Sequence, residues 1–203
     1  MLNNKRGRGR PPGRTQTRDD ILAVARRRFF AEGYDAVSLR SIADEAGVDV
    51  ALIGYHFGSK KGLFGAALAL TANPAELLAR ELDGPLNSLP ERIVRTVVAA
   101  WEHPEAGASL RAVIGAVLRD PDVARLFREM LEREMIGRIA DRIGGADATR
   151  RAAMAASQLA GMIMGRYILG FEPLASMPAD ELVQRMSPAL RAALAGGRPA
   201  RAR

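Results

Sequence analysis

The side chains with usable chemistry in this chain of 203 residues gather between Ser38 and Lys61. Ser38, Arg40, Tyr55, His56, Lys60 and Lys61 bring hydroxyls, a guanidinium, an imidazole and ammonium groups. No carboxylate follows Asp49 within this stretch. Groups of these types hydrogen-bond and neutralise phosphate oxygens. They do not form a catalytic set. Cysteine is absent and histidine occurs twice, so neither a thiolate nucleophile nor a thiolate metal site is available. No Ser-His-Asp arrangement, Gly-rich phosphate loop or metal-ligand cluster is legible, so the chain is expected to be no enzyme and to need no cofactor or metal. The lack of cysteine suits a reducing cytoplasm, the expected compartment. No apolar run approaches the roughly 20 residues a membrane helix needs. The N-terminus has charge but no apolar h-region, so a secretory signal is not expected.

Local signals say how these groups are held. Ser38 is a helix N-cap, and Leu39, Ile42, Ala43 and Ala46 follow at helical spacing. Gly47 stands where a left-handed C-terminal cap wants glycine. Asp49 can cap a second helix from Val50 to about Phe57, with Ile53 and Phe57 on its inner face, and Ser59 can cap a third from Lys60. Helix, glycine turn and short helix make a helix-turn-helix, whose second helix enters a DNA major groove. A plain helical hairpin has the same outline. The basic and hydroxyl groups on the outer face favour the nucleic-acid reading.

The segments FFAEGYDAVSLRSIADEAGV and YHFGSKKGLF, within Thr17 to Phe64, resemble the DNA-binding domain of the TetR family of bacterial transcriptional regulators. The resemblance implies that Ser38, Leu39 and Arg40 touch phosphates or base edges. It implies that Val50, Ala51 and Leu52 form the leading turn of the recognition helix. Tyr55, His56 and Lys60 would then form its phosphate-contacting end. The chain departs from the family pattern at Gly54, where an aromatic or histidine is usual. Val50 and Ala51 cannot hydrogen-bond a base edge, so direct readout would rest on apolar contacts such as thymine methyls.

Residues 1–65 hold 12 of the 30 Lys/Arg residues and 7 of the 23 Asp/Glu residues, so the basic excess lies at the helix-turn-helix end. Nucleic acid is the partner that best explains it, ahead of an anionic membrane surface. Residues 1–16 read as a basic disordered arm. Its Arg8 and Arg10, in Arg8-Gly9-Arg10-Pro11, either lie in a narrow A·T minor groove, as an AT-hook does, or only add nonspecific attraction. The first helix is expected from Thr17 to Glu32, with Thr17 and Asp20 as an acidic capping box. Its Arg26-Arg27-Arg28 run reads as a solvated face.

Few aromatics, abundant Ala, Leu and Arg, and little strand-type alternation predict an all-α protein. Residues 17–64 are expected to form a three-helix DNA-binding domain and residues 65–196 a helical ligand-binding and dimerisation bundle, followed by a tail at 197–203. Further helices are expected over 60–70, 74–82, 88–102, 105–119, 121–143, 147–170 and 178–194. WEHPEAGASLRAVI, GMIMGRYILGFEPLA and SPALRAAL resemble a C-terminal domain found with TetR-type DNA-binding domains. That likeness implies a small-molecule pocket among the central helices and pairing of the last two helices with a second subunit. Trp101, Leu110, Ile114, Phe127, Met130, Met162, Arg166 and Tyr167 are the candidate pocket residues, with Met135 beside them. Arg166 and Arg111 either anchor an anionic ligand or pair with an acid such as Glu172. The resulting expectation is a homodimeric repressor on a pseudo-palindromic duplex operator, released by a small molecule. The alternative is a DNA-binding architectural or partner-recruiting protein without a gated pocket.

Overall fold

The structure, a computed structural model, describes residues 14–70 and 73–195. Arg8, Arg10 and the 197–203 tail lie outside the described residues. The described residues form helices and turns with no strand: α1 (Arg14–Glu32), α2 (Leu39–Ala46), α3 (Val50–Phe57), α4 (Lys60–Ala67), α5 (Pro74–Leu82), α6 (Leu89–Glu102), α7 (Pro104–Arg119), α8 (Pro121–Met130), α9 (Arg138–Ile143), α10 (Ala148–Ile163) and α11 (Ala179–Leu194). A π-helical stretch, Leu131–Gly137, joins α8 to α9, and another, Met164–Ile168, extends α10.

The expected caps are made. Ser38 Oγ accepts from Ser41 N at 3.0 Å, Asp49 Oδ1 from Ala51 N at 2.7 Å, and Ser59 Oγ from Gly62 N at 3.1 Å. Gly47 takes φ 66° at the end of α2. Two boundaries differ from expectation. α1 begins at Arg14, so Thr17 and Asp20 lie inside the helix rather than capping it. α4 stops at Ala67 because Ala69 turns left-handed (φ 57°), with Leu70 N bonded to Gly65 O and Ala69 N to Ala66 O. This is a Schellman closure with alanine where glycine would be free of strain.

The N-terminal core is aromatic. Phe29, Tyr34, Phe57 and Phe64 are buried with Ile21, Ile42, Ile53 and Leu63. The Arg26–Arg28 run is solvated as expected at Arg26 and Arg27, which are exposed, and it also braces α1 against its neighbours. Arg26 Nε donates to Ala67 O (3.0 Å), Arg27 pairs with Glu45, and Arg28 reaches Glu32 and Ser41 O. Three residues from beyond α4 complete this core: Ala75 of α5, and Leu126 and Met130 of α8. The C-terminal core is aliphatic, formed by α6, α9, α10 and α11 around Ile93, Val94, Val98, Leu159, Leu182 and Leu190.

Candidate DNA interface and effector cavity

Ser38, Arg40, Val50, Ala51, Leu52 and Tyr55 are exposed along one side of the α2–α3 unit, while Leu39 and His56 are half-buried at its edge. The amphipathic split follows from the caps. Once α3 starts at Val50, Ile53 and Phe57 must point inward, and the intervening residues point out. Val50 and Leu52 are large apolar side chains left about 40% exposed, and Tyr55 is 65% exposed. Arg40 has no ion-pair partner among the described residues, so its charge is available. The Ser38 hydroxyl accepts the cap bond and keeps its own proton to donate.

Lys60 lies at the margin of this surface. Its Nζ sits 4.6 Å from the centre of the Tyr34 ring and donates to Asp35 O at 3.4 Å. Burial pushes its pKa below the ordinary lysine range. Arg18, which the sequence did not single out, stacks over Phe57 at 5.2 Å and adds a cation beside the end of α3.

The second site is a cavity of about 220 Å³ within the C-terminal half. Of the candidate residues, Trp101, Leu110, Ile114, Phe127 and Met135 line it, joined by Leu77, Leu78, Val97, Ile163 and others. Four candidates are placed elsewhere. Met130 is buried in the N-terminal core, and Met162 in the C-terminal core. Tyr167 stands behind Trp101, stacked on it at 5.3 Å, where burial raises its pKa. Arg166 pairs with Glu102 (2.9 Å), not Glu172, and donates to Leu174 O. Arg111 is exposed on α7. The polar members of the wall are Glu81 and Thr96, which apolar periodicity had no means of flagging.

The two sites share a wall. Phe127 and Leu131 line the cavity and also pack against the N-terminal core. Around them, polar contacts lock α8 and the π-helical stretch after it to the α1–α2 corner. Glu129 Oε2 accepts from Tyr34 N at 2.7 Å, Arg125 Nη2 donates to Phe30 O at 3.0 Å, and Arg133 pairs with Asp35 at 3.1 Å. The Tyr34 hydroxyl donates to Glu134 at 3.1 Å, and burial together with that carboxylate drives its pKa well above the usual tyrosine range. Gly33 is required here. Its φ is 92°, and an added Cβ would meet Glu129 Oε2 at 2.8 Å.

No helix among the described residues is long and apolar enough to cross a membrane, and no group of His, Asp and Glu there is arranged to hold a metal. Residues 21–67 match the family model described as bacterial regulatory proteins, tetR family. Residues 87–194 match that of the tetracyclin repressor-like C-terminal domain. The transcriptional repressor AcnR of Corynebacterium glutamicum is 31% identical over 113 residues, and the match spans about half (55%) of each chain. A TetR-family regulator from Streptomyces coelicolor is 34% identical, covering 92% of this chain and 99% of that one, with a TM-score of 0.47. The multidrug binding protein EbrR, solved with proflavin, shares the fold at 22% identity, covering 87% and 99%, with a TM-score of 0.50. With the C-terminal model alone covering more than half of its length, this chain is a member of the TetR family of DNA-binding regulators.

Proposed function

We propose that the protein is a homodimeric repressor that binds a pseudo-palindromic operator and leaves it when a small apolar molecule fills the cavity. The observation that carries this reading is the shared wall of Phe127 and Leu131. In each subunit α3 enters a major groove. Val50, Ala51 and Leu52 meet base edges, Ser38, Leu39 and Arg40 flank them, and Tyr55, His56 and Lys60 meet phosphates. Arg18 joins the phosphate contacts, and Arg8 and Arg10 of residues 1–16 extend into the minor groove. The pairing surface is the outer side of α10 and α11, where small residues such as Ala153, Ser157, Gly161, Ala189 and Ala192 are exposed beside Met154. Residues 65–196 then act as sensor and dimeriser, and the protein works in the cytoplasm without enzymatic activity.

The route from cavity to DNA runs through α8 rather than through α4. No residue of α4 lines the cavity, whereas α8 puts Phe127 in the cavity wall and Leu126 and Met130 in the N-terminal core. A ligand pressing on Phe127 and Leu131 moves Leu126, Met130 and the Glu129–Tyr34 bond with them, and α3 turns out of register with its groove. Such a ligand needs only to favour the released state over the bound one.

The test is selection from a random duplex pool followed by sequencing of the retained DNA. The expected result is a pseudo-palindrome with half-sites about one helical turn apart. Retention of A·T-rich DNA without symmetry would overturn the operator reading in favour of the architectural one.

A further inference from the structure

The cavity wall is apolar except at one corner, where Glu81 and Thr96 meet. Thr96 Oγ1 donates to Glu81 Oε1 at 2.7 Å, and Arg92 Nε lies 3.2 Å from Oε2. Arg92 is not part of the wall. Its other nitrogens donate to Pro85 O, Ser88 and Glu81 O. Oε1 is therefore bound to the lining Thr96, with that neutral hydroxyl as its partner among the described residues. Although ion-paired to Arg92 through Oε2, the carboxylate keeps acceptor capacity on Oε1 and offers a ligand no donor. It therefore takes a further donor, a charged one gaining most, and disfavours a second carboxylate. Arg166, the cation that would suit an acid, is closed on Glu102 away from the wall.

Size narrows the class further. A dry cavity of about 150 Å³ takes up benzene, whereas drug-sized pockets run from about 300 Å³ upward. A volume of about 220 Å³ lies between these and suits one ring with a short side chain. From these features we infer that the effector is a single-ring apolar amine, its ring against Trp101 and Phe127 and its ammonium on Glu81. The inference rests on the reading of this cavity as the effector site. It also gives the head group a task. The Glu81–Thr96 bond ties α5 to α6, and α5 carries Ala75 into the N-terminal core. An ammonium that competes with Thr96 thus acts on the DNA-binding half through a second helix.

Trp101 is the chain's single tryptophan and stands in the wall, so its fluorescence reports occupancy directly. The full-length protein is titrated near neutral pH with phenethylamine, phenethyl alcohol and hydrocinnamate. The amine is expected to bind about tenfold more tightly than the alcohol, with the acid weakest. Glu81→Gln should abolish the amine's advantage and leave the alcohol within about twofold, which also reports an intact fold. An alcohol or acid that binds as tightly as the amine overturns the ligand class and leaves the cavity reading standing. So does an advantage that survives Glu81→Gln. Silence of Trp101 with all three probes overturns both. Should Glu81→Gln fail to fold, Thr96→Val serves instead. It removes the competing hydroxyl, so the amine's advantage should persist or grow, and its loss would overturn the inference.

Discussion

Around Phe64 three aromatic rings meet, with Phe29 at 5.1 Å and Tyr34 at 4.9 Å, both edge to face. At the centre of the C-terminal bundle, mostly aliphatic side chains with Trp101 and Phe127 surround a cavity of about 220 Å³ instead. Capping does not separate the halves, since α7 begins on His103 and α8 on Asp120, but helix type does. α2, α3, α4 and α5 all begin on side-chain caps, and basic side chains brace α1 against its neighbours. The C-terminal half contains both π-helical stretches, Leu131–Gly137 and Met164–Ile168, and neither has a side-chain cap. Interlocked rings fix a geometry, because moving one ring forfeits contacts with two others. Wall side chains that face a void lack packing partners on that side and give up few contacts by moving, and π-turns recur at functional sites. Tight packing holds the α2–α3 unit in one geometry, while the cavity leaves the C-terminal half room to rearrange. α8 touches both, so rearrangement in one is felt as displacement of the other.

The largest expected effect breaks the rigid half. Phe64→Ala removes a fully buried ring and should cost about 3–5 kcal/mol, a large part of the stability of a domain this size. Urea unfolding followed by far-UV circular dichroism and by Trp101 fluorescence separates two outcomes. If Trp101 holds its midpoint while helix content is lost earlier, the halves melt separately. If both midpoints fall together, Leu126 and Met130 bind the halves into one cooperative unit. We expect the second, because both side chains are fully buried in the aromatic core.

A smaller effect compares the halves by sign. Ala43→Leu forces three carbons into a packed site that is 2% exposed, and should cost about 1–3 kcal/mol. Ala156→Leu adds the same carbons at the cavity wall and should stabilise by about 0.5–2 kcal/mol. Thermal unfolding of the two variants measures both. The wall variant should also lose response to any cavity ligand. Destabilisation of similar size in both variants would mean that the cavity wall is as unyielding as the aromatic core.

Much of the reading surface was legible because it is local. Ser38, Gly47, Asp49 and Ser59 each act within a few residues of their own position, and together they dictate which side of α3 faces outward. The same logic misplaced the end of α4, since Ala69 adopts the left-handed conformation without the glycine that signals it. The cavity was half legible. Helical spacing identifies Trp101 and Phe127 as buried but cannot say what they are buried against. Met130 carries the same signal and belongs to the other core, placed there by a contact with residues about a hundred positions earlier. Arg26 to Arg28 and Glu81 were unreadable for the related reason that a charged side chain's partner is a tertiary fact.

The smallest expected effect falls on Lys60, at the boundary between the surface for DNA and the contact with α8. In the free protein its ammonium lies over Tyr34, with Asp35 O as acceptor and Arg133 as a second cation nearby. These ties are weak. A cation–π contact of this kind is worth about 0.5–1 kcal/mol, the bond to Asp35 O is long, and burial works against the charge. A phosphate should therefore draw the side chain out. Lys60→Ala is then expected to weaken operator and nonspecific DNA alike and to lower the salt slope of log K by about 0.9. An unchanged slope, with up to about 1 kcal/mol of stability lost, would mean that the ammonium stays on Tyr34. Lys60 would then belong with Glu129 and Arg133 in the contact between the two halves, and the boundary between the two surfaces would run on the DNA side of α4's first turn.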